Sequence, residues 1–213
     1  MLVALGAVAS AQHLGPTTPM GNVVALAGIV LSLTIALLAP RLRGETLRVL
    51  GFRRPASWRR AGLGAAAAAG VMLLVEWTAQ LWILPRLLGV PPADTSRFDS
   101  LRGDPWALIG SLVIMWLTAA LAEEVIYRGF LMGRLARLFR GTGRAWIAAL
   151  LLSSLFFGLL HLYQGIGGVL MTACAGLMLG GVYLLSGRNL WVVILAHGLT
   201  NTVSYLMVAL GWV

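Results

Sequence analysis

Residues 123–128 read Glu-Glu-Val-Ile-Tyr-Arg and close an apolar run that begins at Pro105. Carboxylates and a guanidinium are costly at membrane depth, and chains keep them there mainly for pumping, transport or catalysis. Two more polar patterns follow inside apolar runs: Phe157-Gly-Leu-Leu-His161 and His197-Gly-Leu-Thr-Asn201. Glu124 and Arg128 are four apart, share a helical face and can pair. Glu123 is turned from Glu124 by about 100° and can face a different neighbour. His197 and Asn201 project from one face, and Phe157 is placed to buttress the His161 imidazole. Brought around one wet cavity, these groups suit hydrolysis. A carboxylate activates a water, while two imidazoles and an amide steady the nucleophile and the developing oxyanion.

Each pattern has a plainer explanation. Glu124 with Arg128 makes sense as a structural ion pair, His161 as a core histidine bonded to a carbonyl, and His197 with Asn201 as an interhelical hydrogen-bond pair. Glu123 lacks a partner on its own face and is harder to explain that way. Glu76 stands alone in another apolar run, as a cavity-lining or paired residue. His13, near the N-terminus, reads as a surface residue, and Cys174 as a small packing residue.

The elements that must hold these groups are membrane helices. Of 213 residues, 59% are hydrophobic and only 11% charged, about half the charged share of a soluble domain. The runs near 22–39, 61–84, 106–127, 145–163, 166–186 and 189–210 are continuous rather than alternating, which excludes barrel strands. The expected fold is all-α, a polytopic transmembrane bundle of six to seven spans with a catalytic core of four helices. Residues 1–14 supply the possible extra helix. The chain divides into an N-terminal part, 1–104, and a core, 105–213.

The net charge is +9 and every basic residue is arginine. The arginines cluster between the spans, which argues for membrane orientation and against nucleic-acid binding. Arg41, Arg43, Arg48, Arg53, Arg54, Arg59 and Arg60 face one acid, Glu45; Arg134, Arg137, Arg140 and Arg144 form a second group. The segment 85–104 balances Arg86, Arg97 and Arg102 with Asp94, Asp99 and Asp104. The positive-inside rule puts 41–60, 131–144 and the Gly187-Arg188 turn in the cytoplasm. Asp104 before Pro105 reads as an N-cap with proline in the first turn. Gly176 and Gly180 allow close helix contact.

Depth raises a question. With this topology Glu123 and His197 lie nearer the basic side. His161 follows Ala145 by sixteen residues, or about 24 Å of helix. Either the helix before His161 begins deep or tilts, or the helix bearing Glu123 runs on past Arg128.

The ordered set Glu123-Glu124-x-x-x-Arg128, Phe157-x-x-x-His161 and His197-x-x-x-Asn201 resembles the signature of the CPBP family of CAAX proteases and bacteriocin-processing enzymes, also called the ABI family. The resemblance covers roughly residues 105–210. It implies an intramembrane endopeptidase acting on a membrane-associated or lipidated peptide substrate; the arginine-only, Ala/Gly/Leu-rich composition separately fits a GC-rich bacterial source and hence the bacterial inner membrane. The resemblance also implies that Glu123 activates water with help from His161. His197 and Asn201 stabilise the oxyanion, and Glu124, Arg128 and Phe157 shape the site. A metal-free, glutamate-dependent reaction is preferred over zinc held by Glu123, His161 and His197. The competing expectations are a non-catalytic immunity or scaffold protein that binds a peptide in the same cavity, and a small proton-coupled carrier.

Overall fold

The computed structural model describes residues 19–212, so the expectations for residues 1–14 and His13 lie outside the described part. Among the described residues six helical rods follow one another: α1 (Pro19–Arg41), α2 (Trp58–Leu87), α3 (Pro105–Leu138), α4 (Gly143–Leu159), α5 (Gly165–Leu185) and α6 (Leu190–Ala209). Among the described residues there is no strand. Five of the rods contain spans long and apolar enough to cross a membrane, with the segment Leu162–Leu185 covering α5; α4 is the shorter apolar one. The protein is an integral membrane protein and an all-α polytopic bundle. Leu26 and Val30 on α1, Leu74 on α2, Val113 and Leu117 on α3 and Leu151 and Leu155 on α4 stay exposed, as lipid-facing side chains should.

Helix starts are set locally. Ser57 Oγ accepts from Arg60 N at 3.3 Å, and Thr142 Oγ1 from Ala145 N at 3.3 Å. Asn189 Oδ1 accepts from Trp191 N at 3.0 Å. Asp104 Oδ1 accepts from Trp106 N at 2.9 Å and Ala107 N at 3.0 Å, with Pro105 in the first turn as expected. Each cap satisfies backbone donors that the helix leaves orphaned.

Helices α4 and α5 form a close antiparallel pair, and α2 packs along α6. The α4–α5 contact depends on the expected glycines. A Cβ on Gly176 would sit 3.0 Å from Ser154 Cα, and one on Gly180 would overlap Leu150 Cδ1. Helix α3 passes through the middle and packs on α1, α4 and α6. Over Trp116–Glu123 and Val125–Met132 its hydrogen bonds shift to the wider π-helical pattern, which is uncommon and concentrates at functional positions.

The arginine-rich end is closed by the segment between α1 and α2. A 3₁₀ turn, Leu47–Leu50, folds under the bundle and buries Leu50. Tyr183 Oη donates to Leu50 O at 3.0 Å, Leu190 N to Gly51 O at 3.0 Å, and Asn189 Nδ2 to Arg53 O at 3.1 Å. Gly51 has φ +104°, and a Cβ there would lie 2.5 Å from Arg188 O. That position is closed to any other residue twice over.

This floor sets the levels of α3 and α6 relative to each other. Leu50 lies against both Gly129 and Leu190, so those residues share a level. Helix α3 continues from Gly129 to Leu138, about 13 Å beyond it. The α3–α4 hairpin therefore reaches past the start of α6, and the helix bearing Glu123 runs on past Arg128. Measured from that common level, Glu124 and His197 both stand about 8–10 Å into the bundle.

Candidate active site

Glu124 is at the centre and has no exposed surface. Its Oε1 accepts from Arg128 Nη1 at 2.8 Å and from His197 Nδ1 at 2.7 Å. Arg128, also buried, donates from Nη2 to Gly176 O at 3.1 Å, and its guanidinium carbon lies 4.8 Å from the Phe157 ring. One carboxylate and one guanidinium thus tie α3 to α4, α5 and α6. Pairing and hydrogen bonding through Oε1 make this burial tolerable, although Glu124 Oε2 is buried without a hydrogen-bond partner among the described residues. The expected Glu124–Arg128 pairing is present. The bond to His197, on a helix far away in sequence, is an addition that spacing could not reveal.

His161 departs from expectation. The apolar pattern predicts a span running to 163, but α4 ends at Leu159 and His161 occupies the corner leading to a short turn, Leu162–Gln164. Gly158 explains the early stop. It packs so closely on α5 that a Cβ would be 2.6 Å from Val169 O, leaving the chain to turn at once. At the corner His161 Nδ1 meets Phe157 O at 2.8 Å. A carbonyl only accepts, so Nδ1 carries the proton and Nε2 of a neutral ring keeps its lone pair. The carbonyl bond expected of a structural histidine is therefore present, yet it leaves one nitrogen for chemistry.

Phe157 organises both imidazoles. Its ring lies 5.0 Å from His161, 6.4 Å from His197 and 4.9 Å from Tyr127, all edge-on. His197 is turned by Glu124 in the same manner that Phe157 O turns His161: each Nδ1 is engaged and each Nε2 is left over. Asn201 lies one turn beyond His197 on α6 and is half-buried. Gly198, between them, lets Trp116 close in; a Cβ there would overlap the indole. The indole Nε1 donates to Thr202 Oγ1 at 3.1 Å, fixing α3 to α6 beside the motif.

Glu123 contrasts with its neighbour. It is half-buried, and among the described residues it makes no hydrogen bond or ion pair. It lies within electrostatic reach of His197, Glu124 and Arg128. His197 is in turn within reach of His161. Glu76 on α2 is half-buried and also within reach of His197. It follows by one turn Met72, whose sulfur is 3.9 Å from Thr200 Oγ1 on α6. Cys174 is a half-buried residue of α5. Among the described residues no three His, Cys, Asp or Glu side chains are grouped as a metal would need.

Residues 105–203, just under half of the chain, match the family model described as type II CAAX prenyl endopeptidase Rce1-like. Over these residues the chain is similar to that family. No curated protein and no solved structure matched the chain. The Rce1-like segment includes Glu123, Glu124, Arg128, Phe157, His161, His197 and Asn201. Helices α1 and α2 lie outside it, although α2 carries Glu76 within electrostatic reach of His197.

Proposed function

We propose that this chain is an intramembrane endopeptidase in which Glu123 activates the hydrolytic water. The match of residues 105–203 to the Rce1-like family model supports a CAAX-type intramembrane protease in general. The observation that carries the finer reading is the difference between the two adjacent carboxylates. Glu124 is buried and already bonded to Arg128 and His197. Glu123 is half-open and unbonded, within reach of the His197 that Glu124 orients. A base must be free to take a proton, and a carboxylate that holds two partners is better suited to orienting them.

In this mechanism Glu123 removes a proton from water while His161 Nε2 accepts the second water hydrogen. The oxygen attacks the scissile carbonyl carbon. His197 is held at Nδ1 by Glu124 Oε1 and acts as a donor. Its Nε2–H donates to the oxyanion together with the Asn201 amide. On collapse, the C–N bond breaks and protonated Glu123 returns its proton to the leaving amine. No metal is used.

The cavity is proposed to open away from the arginine-rich end. Leu50, Tyr183, Leu190 and Arg128 are buried, whereas Glu123, His161 and Asn201 keep partial exposure. By the positive-inside rule the open end faces out of the cytoplasm. A membrane-associated or lipidated peptide would enter there, its lipid lying along the exposed apolar helix faces.

The test is cleavage of quenched fluorescent peptides by the purified protein in detergent, with Glu123→Ala and His197→Ala alongside. Turnover by the wild type that both substitutions remove supports the reading. Turnover that survives Glu123→Ala defeats it, and peptide binding without turnover identifies a non-catalytic binder.

A further inference from the structure

We infer that Arg97 is a specificity residue that captures a carboxylate of the substrate, seated within about three residues of the bond that is cut. This rests on the peptidase reading above. Arg97 belongs to the segment linking α2 to α3, and that segment is pinned to the His161 corner. Asp94 N donates to Gln164 O at 3.0 Å, and Ala93 N to Gln80 Oε1 at 2.9 Å. A Cβ on Gly167 would overlap Pro91 O, so α5 and the segment meet backbone to backbone.

Held there, the Arg97 guanidinium stands over aromatic rings, its carbon 5.1 Å from Tyr163 and 5.4 Å from Phe98. Tyr163 in turn lies 5.8 Å from the His161 ring. The two legs together bound the distance from Arg97 to His161 at about 11 Å, the span of three extended residues.

The cation is exposed, and among the described residues no carboxylate pairs with it. The nearby acids are engaged elsewhere. Asp94 accepts from Ser96 N at 2.9 Å, and hydrogen bonds from Ser96 hold its carboxyl below the usual range. Asp99 pairs with Arg102 at 3.3 Å. The Tyr163 hydroxyl receives a hydrogen bond from Gln164 Nε2 at 3.2 Å, which leaves its own proton to donate. Tyr205, packed on Phe98 at 5.0 Å, sets a second hydroxyl close by. A guanidinium on an aromatic floor, flanked by hydroxyl donors and lacking an anion, suits a carboxylate supplied from outside. That carboxylate comes either from an acidic side chain or from the end of the peptide.

Three matched fluorogenic peptides separate these sources: a C-terminal amide, the amide with aspartate three residues after the scissile bond, and the free acid ending at that same position. At least one of the two carboxylate-bearing peptides is expected to be cut with kcat/KM about tenfold above the plain amide, the worth of one charged hydrogen bond, mainly through KM. Arg97→Ala should bring that ratio close to one, and Arg97→Lys should restore part of it. A gain for the aspartate peptide assigns the site to a side chain, and a gain for the free acid alone assigns it to the terminus. Equal rates on all three peptides, or a gain that survives Arg97→Ala, overturn the inference while leaving the peptidase reading intact. Failure to cut any of the peptides overturns the peptidase reading and this inference with it.

Discussion

Glu123 and Glu124 are neighbours in sequence with opposite surroundings, and single substitutions should separate them. Glu123→Gln removes only the proton acceptor. It is expected to lower kcat by about 10²–10⁴-fold while melting like the wild type, because nothing in the described fold is bonded to that carboxylate. Glu124→Ala strands Arg128 and releases His197. Breaking one partner of a buried pair costs about 3–5 kcal/mol, so this protein should melt early as well as lose activity. A combined Glu124→Ala, Arg128→Met protein should recover part of the lost stability without recovering activity, since His197 remains unoriented. Thermal melting in detergent and peptide turnover, measured on the same samples, check all three. Chelation belongs to this scale too. Incubation with a strong zinc chelator should leave turnover unchanged and added zinc should not raise it; a chelator-sensitive rate would replace the metal-free proposal.

The helices succeed as positioning devices because they approach one another where side chains are absent. Gly198 is the sharpest case, facing the Trp116 indole between His197 and Asn201. Gly198→Ala should force the indole away and cost about 1–3 kcal/mol. It should also weaken catalysis by moving the α6 motif. Gly181→Ala on α5, where an added Cβ meets nothing within 4 Å, should melt no lower than the wild type. Equal losses from both would mean that the close approach is not what matters. Much of this element-level picture is legible in the sequence. The six apolar runs, the Asp104 cap and the Gly176–Gly180 face follow from composition and spacing alone. Three things do not. The end of α4 depends on Gly158 meeting α5, the reach of α3 past Arg128 on the Leu50 floor, and the Glu124–His197 bond on residues 73 positions apart. Each is a contact between distant segments, and periodicity within one segment carries no trace of it. Arg97, too, reads in the sequence as one half of a balanced loop charge. Its relevance depends on the Gln164 carbonyl that anchors its neighbour Asp94.

At the scale of the whole molecule the two ends differ in kind. One end is sealed and arginine-rich, with Leu50 tucked beneath Gly129 and Leu190. The other is charge-balanced, carries the His161 corner and leaves the cavity groups partly exposed. Sidedness then decides which substrates are possible. If the basic end faces the cytoplasm, the peptide must come from the opposite compartment, and a substrate that stays cytoplasmic cannot reach Glu123. Two exposed small residues allow this to be measured: Ala56 at the basic end and Ser96 in the segment beside Arg97. Replacing Ala56 leaves the neighbouring Ser57 cap of α2 in place. In a Cys174→Ser background, the Ser96→Cys protein should react with a membrane-impermeant maleimide on intact cells. The Ala56→Cys protein should react only after the membrane is opened. The reverse pattern would place the cavity toward the cytoplasm, and the arginine clusters would then be acting against the orientation the rest of the chain adopts.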